Sequence, residues 1–287
     1  MPVAADISVI IPTWCRPGAL HRTINEILQC EPPPREVIVH IDAGDMDTRI
    51  MLDREFKNRG VSCFQSESTQ GPGGGRNLLV RKAACSLIAS FDDDSWPMQK
   101  DYFAKVGRYF DEHQDMAVLT LDAVLRGESR QTPIEGMRKV HFFEGCACVL
   151  RREAMMMIAG YLPLRYAYGM EEADVSLQLY DAGWGVYKTD ELSVFHDTEL
   201  AHHVSPELNA AHIRNTALLA FLRYPVTCWP LGALQVLKRV WYAFKVGRYR
   251  GILTGLTVIP AACWHYAGER KTVRPETIRS LRRLSKG

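Results

Sequence analysis

Short apolar runs alternate with amphipathic stretches over the first 95 residues. The run ISVII (7–11) is rich in β-branched residues and is stopped by Pro12, which reads as a buried strand. From 16 to 29 the period changes. Leu20, Ile24, Ile27 and Leu28 share one helical face, and the proline triplet at 32–34 ends the segment. EVIVHI (36–41) predicts a second strand closing on Asp42, followed by a helix around 48–58 and a third strand at VSCF (61–64). GPGGG (71–75) reads as a loop, 77–85 as a helix, and 87–91 as a fourth strand. Further along, 116–121 and 146–150 are strand candidates, 152–158 and 171–182 helices, and 194–196 the end of a short strand. From about 206 onward the pattern is helices and turns.

Strands alternating with helices predict an α/β fold built on an open, mostly parallel twisted sheet flanked by helices. Ligands of such sheets bind beyond the carboxyl ends of the strands. Pro12 and Thr13, then Asp42, then the triplet Asp92, Asp93 and Asp94 all fall at those ends, so three distant polar clusters are expected in one crevice. The expected division is an α/β domain over residues 1–205 and a helical region over 206–287. Trp184 is expected in the core, and His202 and His203 on the surface or in an acceptor loop.

Charge sharpens that division. The chain has 287 residues, 47% hydrophobic and 24% charged, with a formal charge of +2. Residues 225–287 hold 12 Lys/Arg against 2 Asp/Glu, a net of +10, which leaves −8 for residues 1–224. In that basic segment Trp229, Trp241, Tyr242, Phe244, Tyr249 and Trp264 are interleaved with cations, and 234–245 has helical apolar spacing. Aromatics and cations on an amphipathic helix point to the surface of an anionic membrane. No nucleic-acid motif is present, so nucleic acid is not expected as a partner. The longest apolar stretch, 251–264, is interrupted by Pro260 and is too short to span a bilayer. With no leader pattern at the N-terminus and eight cysteines in mostly apolar settings, a reducing, cytoplasmic location is expected, peripheral to the inner face of the membrane at most.

Three adjacent carboxylates at a strand end repel one another and lose hydration, and a hard divalent cation relieves that cost. Two readings stand: a metal–diphosphate site at the rim, or an acidic turn in which Asp94 or Ser95 caps a helix beginning near Pro97. Calcium-loop and aspartyl-nucleophile patterns do not fit the residues around Asp42 or Asp92, and the glycine run matches neither dinucleotide nor Walker spacing.

The order IPTWCRPGAL, a strand closing on Asp42, GPGGGRN, FDDDSWP, EGCACVLRREAM (144–155), GMEEADVSLQLYDAGWGVY (169–187) and VFHD (194–197) resembles the family-2 glycosyltransferases over roughly residues 6–200. That resemblance implies a GT-A fold and inverting transfer of a sugar from a nucleotide-diphosphate donor, UDP by default and dTDP as an alternative. It implies Pro12, Thr13 and Arg16 at the nucleotide, Asp42 on the base, and Arg76 near base or ribose. Asp92 and Asp93 would lie at ribose and diphosphate. Asp94, with Asp92 and His196, would hold Mn²⁺ or Mg²⁺. Glu172 would be the general base, with Glu144, Gly145, Glu171 and Asp174 on the acceptor side. Position 172 opens a helix whose positive end favours an ionised carboxylate. Asp45 and Gln178 depart from the family's usual residues. The expected acceptor is a saccharide or lipid-linked glycan of surface-glycan synthesis. A non-catalytic nucleotide-sugar scaffold and a sugar nucleotidyltransferase are the alternatives.

Overall fold

The computed structural model describes residues 5–129, 136–162, 164, 170–198 and 205–285; the expectation for His202 and His203 lies outside them. The N-terminal half runs β1 (Ala5–Thr13), α1 (Pro17–Leu28), β2 (Pro34–Ile41), α2 (Met46–Glu55), β3 (Val61–Gln65), α3 (Gly71–Lys82) and β4 (Leu87–Ser90). Then come β5 (Ser95–Pro97), α4 (Tyr102–Glu112), β6 (Met116–Leu125), β7 (Met137–Lys139), β8 (Cys148–Arg151), α5 (Arg152–Met156), α6 (Glu171–Asp181) and β9 (Gly185–His196). Five helices follow: α7 (Pro206–Arg223), α8 (Trp229–Lys245), α9 (Ile252–Thr257), α10 (Ile259–His265) and α11 (Pro275–Leu284). No described helix is long and apolar enough to cross a membrane.

The strands form one sheet in the order β3-β2-β1-β4-β8-β6-β9-β5, with β7 also on β9. β1, β2, β3 and β4 are mutually parallel, as the alternation of strands and helices requires. β8 is antiparallel to both β4 and β6, and β9 is parallel to β6. Strand periodicity sorts the core into two layers. Val9, Ile11, Val37 and Val39 point to the face covered by Leu20, Ile24, Phe103 and Val106. Ile10 and Ile38 point to the face covered by Leu79, Val80, Val175 and Leu179.

Three local expectations change. The glycine run is not a loop but the first turns of α3. Glycine costs about 1 kcal/mol per position in a helix, yet a Cβ on Gly75 would lie 2.5 Å from Nδ1 of His40 and 3.2 Å from Cβ of Pro12. Only bare backbone lets this helix approach the sheet so closely. Residues 194–196 end a 12-residue strand rather than a short one. Neither Asp94 nor Ser95 caps a helix: Ser95–Pro97 is β5, paired with β9, and the next helix begins at Tyr102.

The C-terminal helices pack on α6. Leu177 joins Leu219, Tyr224, Val273, Ile278 and Leu281 in one cluster. Arg223, 1% exposed, donates from Nε to Oδ1 of Asp174 and from Nη2 to Oδ2 at 2.9 Å. Its Nη1 donates to the Glu269 carbonyl at 3.1 Å. Arg274 and Thr277 both donate to Asp181.

Candidate active site

The chain leaves β1 through a turn in which Cys15 takes φ 55, a left-handed conformation uncommon for a residue with a Cβ. The Cys15 N–H donates to Oδ2 of Asp45 at 2.5 Å, and Asp45 Oδ1 also caps α2 through the Thr48 N–H. This turn carries Arg16 back over the strand ends. Its Nη1 donates to Oδ1 of Asp93 at 2.6 Å and its Nη2 to Oδ2 of Asp94 at 2.7 Å. Thr13 Oγ1 donates to the other oxygen of Asp93 at 2.8 Å. Burial nevertheless pushes the Asp93 carboxyl up to about 7, against the pull of Arg16 and Thr13.

Asp94 goes the other way. Burial would raise it, but His196 and Arg16 bring it down to about 2. The β5–β9 pairing sets Ser95 opposite His196, which holds the imidazole over the acidic cluster. Nε2 of His196 lies 3.2 Å from Oδ1 of Asp94 and 3.9 Å from Oδ2 of Asp92. Burial disfavours the imidazolium, yet the surrounding carboxylates leave its pKa raised.

Asp92 is held by a different cation. Arg76, buried on α3, donates from Nη2 to Oδ1 of Asp92 and from Nε to Ser90 Oγ at 3.2 Å. Ser90 Oγ donates in turn to the Gly145 carbonyl at 3.0 Å. A Cβ on Gly145 would lie 2.5 Å from Oε1 of Glu172 and 3.3 Å from Nη2 of Arg76. Glycine at 145 therefore leaves room for both Glu172 and Arg76 behind the acidic cluster. The expectation that the start of α6 keeps Glu172 ionised is corrected here. Burial first, and the neighbouring Glu171 second, push its carboxyl well above the ordinary carboxylate range, although Arg76 pulls it down.

Asp92, Cys146 and His196 each place a ligand atom within 4.8 Å of the others. Oδ1 of Asp94 is buried, with the His196 imidazole as its close polar neighbour. A buried carboxylate oxygen facing an imidazole, beside a second carboxylate, fits a divalent cation. The imidazole suits Mn²⁺ better than Mg²⁺. Cys146, buried and with its thiol pushed up by burial, was not singled out from the sequence. C-x-C alone carries no metal signature, and only the turn between Glu144 and β8 brings its sulfur here.

Every residue proposed from the sequence except Asp174 lines a single cavity of about 1390 Å³. Asp174 belongs to the buried pair with Arg223 instead. Asp42 sits at the rim, but its carboxylate accepts from the N–H groups of Gln70 at 2.9 Å and Gly71 at 3.0 Å, which satisfies the start of α3. Glu144 and Glu171 face the cavity beside Glu172. Trp14, 61% exposed with its indole N–H on the Ala43 carbonyl, and Lys238, Arg239 and Tyr242 from α8 also line it. Nothing in the sequence tied α8 to the strand ends, because the link is made by tertiary packing of α7 and α11 on α6.

A half-parallel, half-mixed sheet with paired carboxylates at its strand ends and a carboxylate across the cavity defines a GT-A-type glycosyltransferase fold. The chain belongs to glycosyl transferase family 2, whose sequence model matches residues 8–166. Solved structures agree on the fold. S. aureus TarS residues 1–349 in complex with UDP-GlcNAc superposes with a TM-score of 0.61 at 16% identity, over 98% of this chain and 90% of that one. The mannosyltransferase PcManGT from Pyrobaculum calidifontis, in complex with GDP-Man and Mn²⁺, gives 0.59 at 12% identity, over 99% and 85%. A longer S. aureus TarS chain gives 0.59 at 17% identity over 82% of this chain, which spans only 43% of that one. No curated protein matches the sequence.

Proposed function

We propose that this glycosyltransferase moves a sugar, with inversion, from a nucleotide-diphosphate donor to a saccharide or lipid-linked acceptor, with Glu172 as general base. The observation that carries the reading is the meeting of Asp92, Asp93 and Asp94, their cations Arg16 and Arg76, and Glu172 on the walls of one cavity. Structures of the same fold bind UDP-GlcNAc and GDP-Man, which supports a nucleoside diphosphate as leaving group. UDP is favoured and dTDP is the alternative.

In this reading Pro12, Thr13 and Arg16 bind the nucleotide and the strand-end carboxylates face the diphosphate. Asp42 serves the base from the rim. Asp92, Asp94 and His196 would hold Mn²⁺ or Mg²⁺, which offsets charge building on the departing diphosphate. Arg76 pairs with Asp92 and favours the ionised form of Glu172. Glu172 accepts the proton of the acceptor hydroxyl as its oxygen bonds to the anomeric carbon. The bond from that carbon to the diphosphate breaks on the opposite face, so a single displacement inverts the centre. Residues 1–205 form the catalytic unit and 206–287 the acceptor-side wall, with an outer face suited to an anionic membrane.

Glu172→Gln removes the base and keeps its shape. We expect kcat to fall about 10²–10⁴-fold, while UDP still raises the melting temperature in Mn²⁺. A variant that still transfers at the wild-type rate removes Glu172 from the mechanism. Release of pyrophosphate from a nucleoside triphosphate, rather than of a nucleoside diphosphate from a sugar donor, would make the protein a nucleotidyltransferase.

A further inference from the structure

The cavity continues past the acidic cluster. Along α6 its lining passes from Glu171 and Glu172 to Ala173 and Leu177, and then onto α7, α8 and α11. There its lining includes the apolar Leu219, Ile278 and Leu281 and the cationic Lys238, Arg239 and Arg282. The helices from 206 onward contribute no carboxylate to the lining. Among the described residues, every acidic one in the lining comes from the strand ends, the segment before β8, or the first turn of α6.

None of these three cations forms an ion pair with a carboxylate among the described residues, whereas Arg16, Arg76, Arg223 and Arg274 do. Nε of Arg239 is buried without a hydrogen-bond partner, and its guanidinium lies 5.3 Å from the centre of the Tyr242 ring. A buried guanidinium N–H without a partner is unfavourable unless an acceptor completes it, and an anion on this carboxylate-free part of the lining would do so. Guanidinium groups suit phosphate oxygens in particular.

We propose that this basic end of the cavity binds a phosphate or diphosphate group of the acceptor, and so positions the acceptor's sugar hydroxyl at Glu172. The direction of that positioning rests on Glu172 as the base; the phosphate site itself does not. Leu219, Ile278 and Leu281 give the same end of the lining an apolar character that a hydrocarbon chain on the phosphate would match.

The test is titration calorimetry on the full chain in EDTA, which removes any cation from the acidic end. The probes are inorganic pyrophosphate, farnesyl diphosphate and farnesol. Both diphosphates should bind and farnesol should not. Losing a charge-assisted contact costs about tenfold per cation, so the R239Q/R282Q double variant should bind about 100-fold more weakly. R239K/R282K, which keeps both charges, should stay far closer to wild type and guards against misfolding as the cause. Tighter binding of farnesyl diphosphate than of pyrophosphate identifies a lipid-linked acceptor; equal binding identifies a water-soluble phosphorylated one. Absence of diphosphate binding by the wild type, or equal binding by the Gln double variant, overturns the site. Because no sugar transfer is measured, that failure stands apart from any failure of the glycosyltransferase reading.

Discussion

A methyl group on Gly145 would land 2.5 Å from an oxygen of Glu172, the far end of a side chain that can swing away. Gly145→Ala should therefore cost little stability and much activity. The carboxylate moves, and misplacement of a reacting group by about 1 Å costs about 10²-fold. Steady-state kinetics beside thermal unfolding would check this; a loss of stability equal to the loss of activity would mean that the residue only packs. The pKa of Glu172 offers a second handle. Burial and Glu171 raise it, so the base is protonated at acid pH and becomes competent as pH climbs through a value above the usual carboxylate range. The limb of kcat/KM against pH should lie correspondingly high. Glu171→Gln removes a raising influence and should move that limb to lower pH. A limb that stays put, or moves up, would show that Glu171 does not act on the base. That Glu172 would lie at the cavity was legible through the family resemblance of its segment, not through its helix position alone. Its environment was not, since Arg76 and Gly145 reach it from 96 and 27 residues away along the chain.

At the scale of elements, the buried pair of Asp174 and Arg223 clamps α7 onto α6. Removing one partner of such a pair strands the other charge, which typically costs about 3–5 kcal/mol. Asp174→Ala should lower unfolding stability by that amount in denaturant titrations, whereas a change under about 1 kcal/mol would place the pair among weak surface bridges. Asp174 also shows how a motif misleads. Its place in the E-E-x-D segment gave it an acceptor-side role, but the two-residue spacing turns it away from Glu172, toward α7. The parallel half of the sheet was readable because each buried strand is a short β-branched run ended by a polar residue or proline. β5 was not readable: three residues, Ser95–Pro97, make a strand only because β9 is there to pair with them. The glycine helix was not readable either. Its propensity opposes helix, and it is settled by contacts with His40 and Pro12 and by the Asp42 carboxylate at its first turn. That carboxylate was expected to serve a bound base, and local sequence held no sign that it also caps a helix 29 residues on.

Across the whole molecule, one helix faces two ways. α8 turns Lys238, Arg239 and Tyr242 to the cavity, while Leu234, Leu237, Trp241 and Phe244 are 45–72% exposed along its outer face. Leu253 on α9 at 74% and Trp264 on α10 at 86% are exposed too, and the segment carries a net +10. An anionic bilayer matches both properties, since basic residues near such a surface contribute about 1 kcal/mol each and buried aromatic and aliphatic side chains add to this. Deleting residues 225–287 would not test the idea cleanly, because Val273, Ile278 and Leu281 would leave the core with them. Point changes at the exposed tryptophans avoid that. The wild type should pellet with phosphatidylglycerol vesicles, less so in high salt, and poorly with phosphatidylcholine alone. Trp241→Ala with Trp264→Ala should weaken pelleting by about tenfold or more, with the melting temperature unchanged. Salt-insensitive pelleting that is the same for both lipids, or for both proteins, would detach this face from the membrane. A positive result has a consequence inside the molecule. With the outer face of α8 on the bilayer, its inner face would present Lys238 and Arg239 to a phosphate arriving from the headgroup layer, and the acceptor could reach Glu172 without leaving the membrane.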